Sequence, residues 1–331
     1  MEGGRSGEDA FIARFLRPLA TDPGALGLMD DAALLTPPAG MQLVLTKDAL
    51  VAGVHFFPDD PPETIARKAL GVNLSDLAAK GAAPLGALLA LALPADLGET
   101  WMEAFAIGLG EALSEAGCPL LGGDTVRTPG PLMISLTAFG GVPTGHFVPR
   151  TGARPGEAIL VSGTIGDGAL GRLLRLDPER PGFAPLVAAQ RAHLARRYLV
   201  PEPRLALAPL LRAYARAAMD VSDGLVGDIA KMLAASGCGG ILHTGAVPLS
   251  SAARAAGEAE PDLFRAALTG GDDYEIACTA PLARAADFIA EAAALGIALT
   301  VIGETRAEPG LHVMDADGVL VDLGPGSYSH F

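Results

Sequence analysis

The sequence predicts an α/β protein with two domains. Runs of apolar residues typical of buried strands alternate along the chain with segments whose apolar residues recur at helical spacing. A chain of 331 residues is long enough for two hydrophobic cores. Around residues 143–155 the composition turns to Pro, Gly and Arg, as in a linker. We therefore expect an N-terminal domain of residues 1–147 and a C-terminal domain of residues 148–331.

Helical spacing and stop signals locate the helices, whereas short apolar runs bounded by Gly or Pro locate the strands. The strand at 119–125 is expected to break at Gly122 and Gly123, where the backbone can approach a ligand closely. The predicted helices are 10–19, 63–81, 101–116, a helix after 163–171, 225–233 and 282–295. The predicted strands are 43–48, 86–93, 119–125, 132–141, 157–163, a strand entered from the loop 269–273, and 298–303, followed by a hairpin around 315–318.

The charge balance limits the possible partners. Acidic residues outnumber basic ones by 38 to 24, for a formal net charge of −14. Nonspecific nucleic-acid binding needs a basic surface, so the composition disfavours nucleic acid as a partner. The same charge repels an anionic substrate unless cations are held locally, most simply as divalent metal ions.

The cysteines and the apolar runs indicate a cytoplasmic protein. The three cysteines are widely spaced and form no C-x-x-C pair, which disfavours both a disulfide framework and a zinc cluster. We expect all three to be buried thiols. The N-terminus has no apolar core like that of a signal peptide. The longest apolar run, 82–93, is too short to span a bilayer, so no membrane association is expected.

Several acids lie among apolar residues and beside Gly, Ser or Thr rather than in solvated runs. A carboxylate in a core-like segment is unfavourable unless it is paired, hydrogen-bonded or bound to a metal ion. One such acid is easily a helix cap, but a whole set without soft ligands nearby favours Mg²⁺. Several Mg²⁺ ions held by oxygen ligands suit phosphoryl transfer. The set consists of Asp31, Asp48, Asp76, Asp124, Asp220, Asp223 and Asp272.

The segment 218–225 is the most informative part of this set. Asp220 and Asp223 flank Ser222, and the apolar spacing of a helix begins directly behind them. Asp223 is therefore expected at the helix N-cap, with the helix start able to face an anion. Because two carboxylates repel a phosphate, we expect a cation between them. The alternative is a purely structural turn and cap.

Two further side chains are candidates on their chemistry alone. Arg150 supplies a guanidinium that can bind phosphate oxygens bidentately, with a water-bound linker arginine as the alternative. His55 follows the Asp48 turn and is positioned to meet a substrate, although an isolated histidine is more often structural.

One glycine pattern suggests a different function. Residues 166–171 satisfy G-x-G-x-x-G directly after a predicted strand, which is the dinucleotide-binding fingerprint. The helix behind it runs into the Pro-rich segment 177–182 rather than into a second strand ending in an acid, so the context fails. We interpret it as a glycine turn that packs strand on helix. The chain contains no G-x-x-x-x-G-K-[ST] motif, which excludes a P-loop enzyme.

Taken together, the motifs resemble those of the thiamine-monophosphate kinase family, within the superfamily typified by aminoimidazole ribonucleotide synthetase. The resemblance covers essentially the whole chain, and the segment 50–56 with His55 separates this family from its superfamily relatives. The segments that carry it are DDAAL at 30–34, DALVAGVHF at 48–56, NLSDLAA at 73–79, GGDT at 122–125, DVSDGL at 220–225 and GGDDYE at 270–275.

The resemblance implies an activity and an architecture. The activity is ATP-dependent phosphorylation of thiamine monophosphate to thiamine diphosphate by direct in-line transfer, with ATP as co-substrate and several Mg²⁺ ions. The architecture is an N-terminal mixed sheet with helices that pairs across a homodimer, a C-terminal α/β sandwich, and ATP in the cleft between the domains. The alternatives are another ATP-using member of the superfamily and a catalytically inactive nucleotide- or metal-binding partner protein.

The resemblance also implies residue roles. Asp48, Asp124 and Asp220 are implied as catalytic. The implied metal positions are Asp31, Thr46, Lys47, Asp48, Asp76, Asp124, Asp220 and Asp223. The implied ATP contacts are Gly123, Asp124, Arg150 and Ser222. The implied substrate contacts are His55, Asp272 and Tyr328.

This sequence departs from the family pattern at four places. Met29 replaces the usual glycine before the acidic pair. Lys47 stands where a second hydroxyl residue is usual, so either a fixed positive charge replaces a metal ligand or the backbone carbonyl serves. Asp272 is one methylene shorter than the usual glutamate. The C-terminal aromatic is displaced, and Tyr328 is taken in its place.

Overall fold

The strands form two sheets, one in each of two units of the computed structural model, which describes residues 7–324, 326 and 327. The first unit comprises the described residues up to Leu77 together with Ala82–Gly145. The second comprises Ala78–Gly81 and the described residues from His146 onward.

The sheet of the first unit is mixed, as predicted. Its strand order is β1-β4-β2-β3, and only β2 and β3 run parallel. The strands are β1 Met41–Val51, β2 Ala83–Leu93, β3 Leu120–Arg127 and β4 Met133–Pro143. The α-helices that begin in this part of the chain are α1 Gly7–Phe11, α2 Pro62–Ala79 and α3 Glu99–Ala116.

The two faces of this sheet differ sharply in burial. One face packs on α2, where a side chain at Gly140 of β4 would collide with Leu77, and it buries Ile134 and Leu136 completely. On the other face Leu43 and Leu45 are 41% and 62% exposed. Side chains alternate between the faces of a strand, so the sequence itself separates a helix face from an open face.

The sheet of the second unit lies between two layers of helices. Its strand order is β10-β7-β9-β5-β8-β6, with only β10 and β7 parallel. The strands are β5 Glu157–Ser162, β6 Ala217–Asp220, β7 Gly239–His243, β8 Ile276–Pro281, β9 Leu299–Arg306 and β10 Gly310–Met314. The helices are α4 Asp167–Leu176, α5 Ala188–Leu199, α6 Ala208–Tyr214, α7 Leu225–Ala235, α8 Ser251–Ala259, α9 Pro261–Thr269 and α10 Ala285–Ala294.

Strand β5 explains this sandwich. All of its residues are buried, and its side chains divide between two cores. Ile159 packs in one core with Ile229 of α7, whereas Leu160 packs in the other with Phe288 of α10. A strand covered on both faces is an uninterrupted apolar run, which is why the sequence identifies it.

Two local predictions differ from the structure, and some elements were not predicted. The helix predicted at 10–19 is instead α1 followed by a π-helical turn, Ile12–Leu16, and a 3-10 turn, Arg17–Leu19. Strand β3 is continuous through its glycines, and the irregularity is a register shift at Leu121. The strand β7 and the helix α8 were not predicted at all.

The three cysteines are free and buried, as expected. Burial raises the pKa of the Cys118 and Cys278 thiols to about 12, so neither is a ready nucleophile. In the part of the chain that the structure describes, none of the helices is both long and apolar enough to cross a bilayer.

Candidate active site

The predicted site residues are divided between the two units, and Tyr328 lies outside the described residues. The first unit holds Asp31, Thr46, Lys47, Asp48, His55, Asp76, Gly123 and Asp124. The second unit holds Arg150, Asp220, Ser222, Asp223 and Asp272.

On the helix face of the first sheet, β1 and α2 bring Thr46, Asp48 and Asp76 together; we call these three residues the helix-face group. The Thr46 hydroxyl donates a hydrogen bond to the Asp76 carboxylate. Burial, together with the nearby charge of Asp76, raises the pKa of the Asp48 carboxyl to about 6. The two carboxylates repel each other, and a bound cation would relieve this repulsion. Together with the hydroxyl they offer such a cation only oxygen ligands.

The open face carries a pocket of about 920 Å³. Its lining includes Asp31, Lys47, Gly123, Asp124 and Thr137, and we call it the open-face pocket. The Lys47 ammonium lies 3.4 Å from the Thr137 hydroxyl and can donate to it. A charged ammonium has no lone pair, so the Lys47 side chain can donate hydrogen bonds to an anion but cannot ligate a metal ion.

Strand register separates these two groups. Lys47 pairs with Thr137, Thr137 pairs with Leu88, and the next row of the sheet runs from Asp48 to Leu136. Neighbouring rows face opposite sides of a sheet. The helix-face group and the open-face pocket therefore lie on opposite faces, which the sequence did not indicate.

The donor chemistry of both groups fits Mg²⁺, because carboxylate and hydroxyl oxygens are its ligands. Among the described residues, however, no three His, Cys, Asp or Glu side chains lie close enough together to hold a metal ion. Mg²⁺ is commonly held by one or two carboxylates, with waters and substrate phosphates completing its octahedron. The arrangement fits a metal ion that arrives with a nucleotide rather than one caged by protein alone.

Burial of the predicted acids differs from expectation. Of the set, only Asp220 is buried, whereas Asp31 and Asp124 are exposed and the others are partly exposed. An apolar neighbourhood in sequence does not imply burial at a strand end or on an open sheet face. The acids with buried side chains, which the sequence analysis passed over, include Asp167, Asp228, Asp273 and Glu275.

Two loops of the second unit lie side by side. The segment 220–224 follows β6, and 270–275 connects α9 to β8. The Asp272 N–H donates to the Ser222 carbonyl at 3.0 Å, and the Tyr274 N–H donates to the Val221 carbonyl at 2.8 Å. These bonds bring Asp272 beside Ser222, as a shared site requires. We call the two segments the paired loops.

Helix α7 begins differently from the prediction. Its N-cap is Gly224, and Asp223 does not cap it. Asp228 instead fixes the turn that leads into the helix, because one of its carboxylate oxygens accepts the N–H groups of Ser222, Asp223 and Gly224 at 3.1, 2.9 and 3.2 Å. The Lys231 ammonium lies 2.6 Å from the Asp223 carboxylate. Asp223 therefore has a counter-ion in the helix that follows it.

The sequence did contain a signal for Asp228 and Lys231. Asp228 interrupts the apolar stripe of α7 one turn after Gly224, and Lys231 follows three residues later. A carboxylate on the buried side of a helix start is a sign that it satisfies backbone N–H groups there.

Arg150 and His55 are positioned by backbone contacts. Pro149, next to Arg150, accepts a hydrogen bond from the Ala218 N–H at 3.0 Å, so Arg150 lies beside the strand that ends at Asp220. Its side chain is exposed. The His55 Nδ1 atom accepts the Val51 N–H at 3.0 Å, which assigns the ring proton of the neutral form to Nε2. His55 thus stabilises its own turn.

Comparison with known proteins is consistent with this arrangement. The chain matches the model "AIR synthase related protein, N-terminal domain" over residues 29–142 and the corresponding C-terminal domain model over 154–316. It is 46% identical to the thiamine-monophosphate kinase of Caulobacter vibrioides over 297 residues, 88% of this chain and 82% of the relative.

Solved structures agree with the sequence relatives. The thiamine-monophosphate kinase of Stenotrophomonas maltophilia K279a superposes with a TM-score of 0.83 at 40% identity, covering 95% of this chain and 98% of that one. The structure described as "AaThiL complexed with AMPPCP and TMP" gives a TM-score of 0.78 at 32% identity, covering 93% and 97%. The chain therefore belongs to the thiamine-monophosphate kinase family of AIR synthase related proteins.

Proposed function

We propose that this protein transfers the γ-phosphoryl group of ATP to the phosphate of thiamine monophosphate, giving thiamine diphosphate and ADP. The observation that carries the proposal is the similarity, over nearly the full length of both chains, to a structure described as a complex with AMPPCP and TMP. AMPPCP is an ATP analogue with a non-hydrolysable β–γ bridge, so the description names both kinds of ligand that the reaction needs.

The chain's own residues supply anion-binding and cation-binding positions for this reaction. Lys47 in the open-face pocket, Arg150 beside β6 and the Ser222 hydroxyl are positions for phosphate oxygens. Gly123 and Asp124 would also contact the nucleotide. His55 and Asp272 would contact thiamine monophosphate, as would Tyr328, which lies outside the described residues.

Mg²⁺ belongs to the proposal because the site is acidic and both substrates are anions. The ions would neutralise phosphate charge during in-line transfer, where catalysis is mostly positioning and electrostatics. The residues that would hold them are Asp31, Thr46, Asp48, Asp76, Asp124, Asp220 and Asp223, with Lys47 contributing at most its backbone carbonyl. Asp223 would have to exchange Lys231 for a metal ion.

The homodimer is also part of the proposal. Leu43 and Leu45 on β1 and Val126 on β3 are large apolar side chains exposed on the open face. Leu43 and Leu45 are neighbours on this face of β1, and exposed apolar surface of this kind commonly marks a protein–protein interface. Light scattering should give twice the 33.6 kDa chain mass, and Leu45→Glu should reduce it. A cytoplasmic location stays a prediction.

The activity is tested by incubating the pure protein with ATP, Mg²⁺ and thiamine monophosphate. Thiamine diphosphate and ADP should appear in equal amounts, and EDTA should stop the reaction. No product at high enzyme concentration would contradict the proposal. ATP binding without turnover would instead indicate an inactive nucleotide-binding member of the family.

A further inference from the structure

The loop 270–275 contains the most unusual backbone among the described residues of the second unit. Asp272 has φ 71° and Tyr274 has φ 53°, both in the left-handed region. Asp tolerates this region comparatively well, but a bulky aromatic residue there is a genuine outlier. Such strain persists only where surrounding contacts enforce it, and it concentrates at ligand-binding sites.

The contacts that enforce it come from the two residues that alternate with the strained ones. Asp273 is buried, and its carboxylate accepts the Gly166 and Gly168 N–H groups at 2.7 and 3.1 Å. Glu275 is buried too, and it accepts the Ser162 hydroxyl at 2.6 Å and pairs with Arg197 at 2.9 Å. The loop is therefore anchored at both inward-facing positions.

This anchoring presents the other two side chains on the outer side of the loop. Asp272 and Tyr274 are both half-buried, and the Tyr274 hydroxyl donates to the Asp272 carboxylate at 3.3 Å. The result is a carboxylate next to an aromatic ring, and both are fixed beside Ser222 of the other paired loop. That pairing is the usual means of recognising an organic cation, by charge and by the negative face of the ring.

We infer that Tyr274 is a substrate-recognition residue that acts with Asp272 on a cationic ring of the substrate. The inference rests on the proposed function, because the thiazolium ring of thiamine monophosphate carries the positive charge that such a pair would select. The strain at Tyr274 is then the structural consequence of placing its ring beside the substrate rather than in the core.

The test compares two ligands that differ only in this charge. Thiamine monophosphate and its analogue with a neutral thiophene in place of the thiazolium are titrated by calorimetry in the presence of Mg²⁺ and a non-hydrolysable ATP analogue. The wild type should bind the cationic ligand at least about tenfold more tightly, within the range of a cation–π contact plus a nearby carboxylate.

Two variants separate the ring from the hydroxyl. Tyr274→Asn removes the ring while keeping a residue that tolerates a positive φ, and it should reduce the preference for the cationic ligand about tenfold. Tyr274→Phe keeps the ring and should change the preference by less than about threefold, because it loses only the contact of the hydroxyl with the Asp272 carboxylate. Tyr214→Phe is the control, because it removes a tyrosine hydroxyl that donates to Glu291 outside the paired loops.

The outcomes distinguish this inference from the proposed function. Unchanged preference in a folded Tyr274→Asn protein, or equal binding of the two ligands by the wild type, overturns the role of Tyr274 and leaves the kinase assignment intact. If Tyr274→Asn does not fold, Tyr274→Gly takes its place, because glycine adopts a positive φ without strain, and an unchanged preference in that variant overturns the role. A wild type that binds neither ligand overturns the proposed function and this inference together.

Discussion

Gly-Gly-Asp occurs twice, at 122–124 and at 270–272, in two different structures. The first copy lies inside the continuous strand β3, with Asp124 on the open face of its sheet. The second lies in a loop, with its aspartate at φ 71°. In both, the second glycine lies against a neighbouring carbonyl oxygen: a Cβ would be 1.7 Å from Leu89 O at Gly123 and 2.1 Å from Ser222 O at Gly271.

The two copies show that the glycines mark a close approach of the backbone, whereas the residues after each aspartate decide its conformation. After Asp124 come Thr125 and Val126, which continue the strand. After Asp272 comes Asp273, whose buried carboxylate is tied to the start of α4. The identical tripeptides are thus a shared steric requirement rather than a shared structural repeat.

The largest expected difference between the copies is kinetic. Asp124→Asn should lower kcat by at least about a hundredfold, about 3 kcal/mol of barrier, if Asp124 holds a metal ion at the reacting phosphate. Asp272→Asn should instead act mainly on the KM for thiamine monophosphate, raising it about tenfold. Steady-state kinetics with both substrates varied measures the two effects.

Thermal unfolding is the control for both variants. Asp124 is exposed and its side chain accepts only the neighbouring Thr125 N–H among the bonds described, which an asparagine oxygen also accepts. The unfolding curve should therefore hardly move. Undiminished turnover in Asp124→Asn would show that its metal-binding role is wrong.

The second difference concerns the close approach itself. Gly123→Ala should destabilise the protein by about 3 kcal/mol, because its Cβ would meet the backbone of β2, which cannot move alone. Gly122→Ala is the matched control, since its Cβ would lie 3.3 Å from the flexible end of Leu88. Its expected effect is under about 1 kcal/mol. Urea unfolding that gave equal losses would contradict the steric explanation.

A third substitution removes part of the Asp273 anchor, which follows only the second copy. Asp273→Asn leaves one acceptor for two N–H donors, so an amide N–H₂ would face one of them. The free energy of unfolding should fall by about 1–3 kcal/mol. The loss is reduced because the substitution removes a buried carboxyl group, and burial holds the pKa of that group well above its usual value. Asp96→Asn, at an exposed position, should change stability by less than about 0.5 kcal/mol.

The sequence predicted the parts of the fold whose signal is local. Ala158 to Val161 is apolar without interruption because both faces of β5 are covered, and Gly117 ends α3 in the left-handed conformation that the prediction assumes. Strand β7 was missed because Gly239 and Gly240 begin it, and a Cβ on Gly239 would meet the backbone at Glu308 and Gly310. That requirement comes from residues far away in the sequence, so it leaves no pattern in the sequence around Gly239.

The sequence named the candidate site residues one by one, but it did not predict how the first unit divides them between the two faces of its sheet. Lys47 and Asp48 are neighbours in sequence, yet strand alternation places them on opposite faces, and only the identity of the covering helix decides which face is open. Asp273 was missed because a loop carboxylate that accepts backbone N–H groups looks in sequence like any other acid, whereas Asp228 could have been found from its place in the apolar stripe of α7. The metal and nucleotide roles of the named residues, and the roles of the two domains, stay predictions.

The smallest expected effect is the most direct test of the difference between the two copies, because one substitution should act in opposite directions at them. Asp124→Gly places glycine within a strand and should lower the free energy of unfolding by about 0.5–1 kcal/mol. Asp272→Gly relieves a left-handed aspartate, and even after loss of the Tyr274 contact it should leave stability unchanged or raise it by up to about 1 kcal/mol. Equal losses of unfolding free energy in parallel urea titrations would mean that the backbone of Asp272 is not strained. The Asp273 contacts would then not be needed to hold a strained loop.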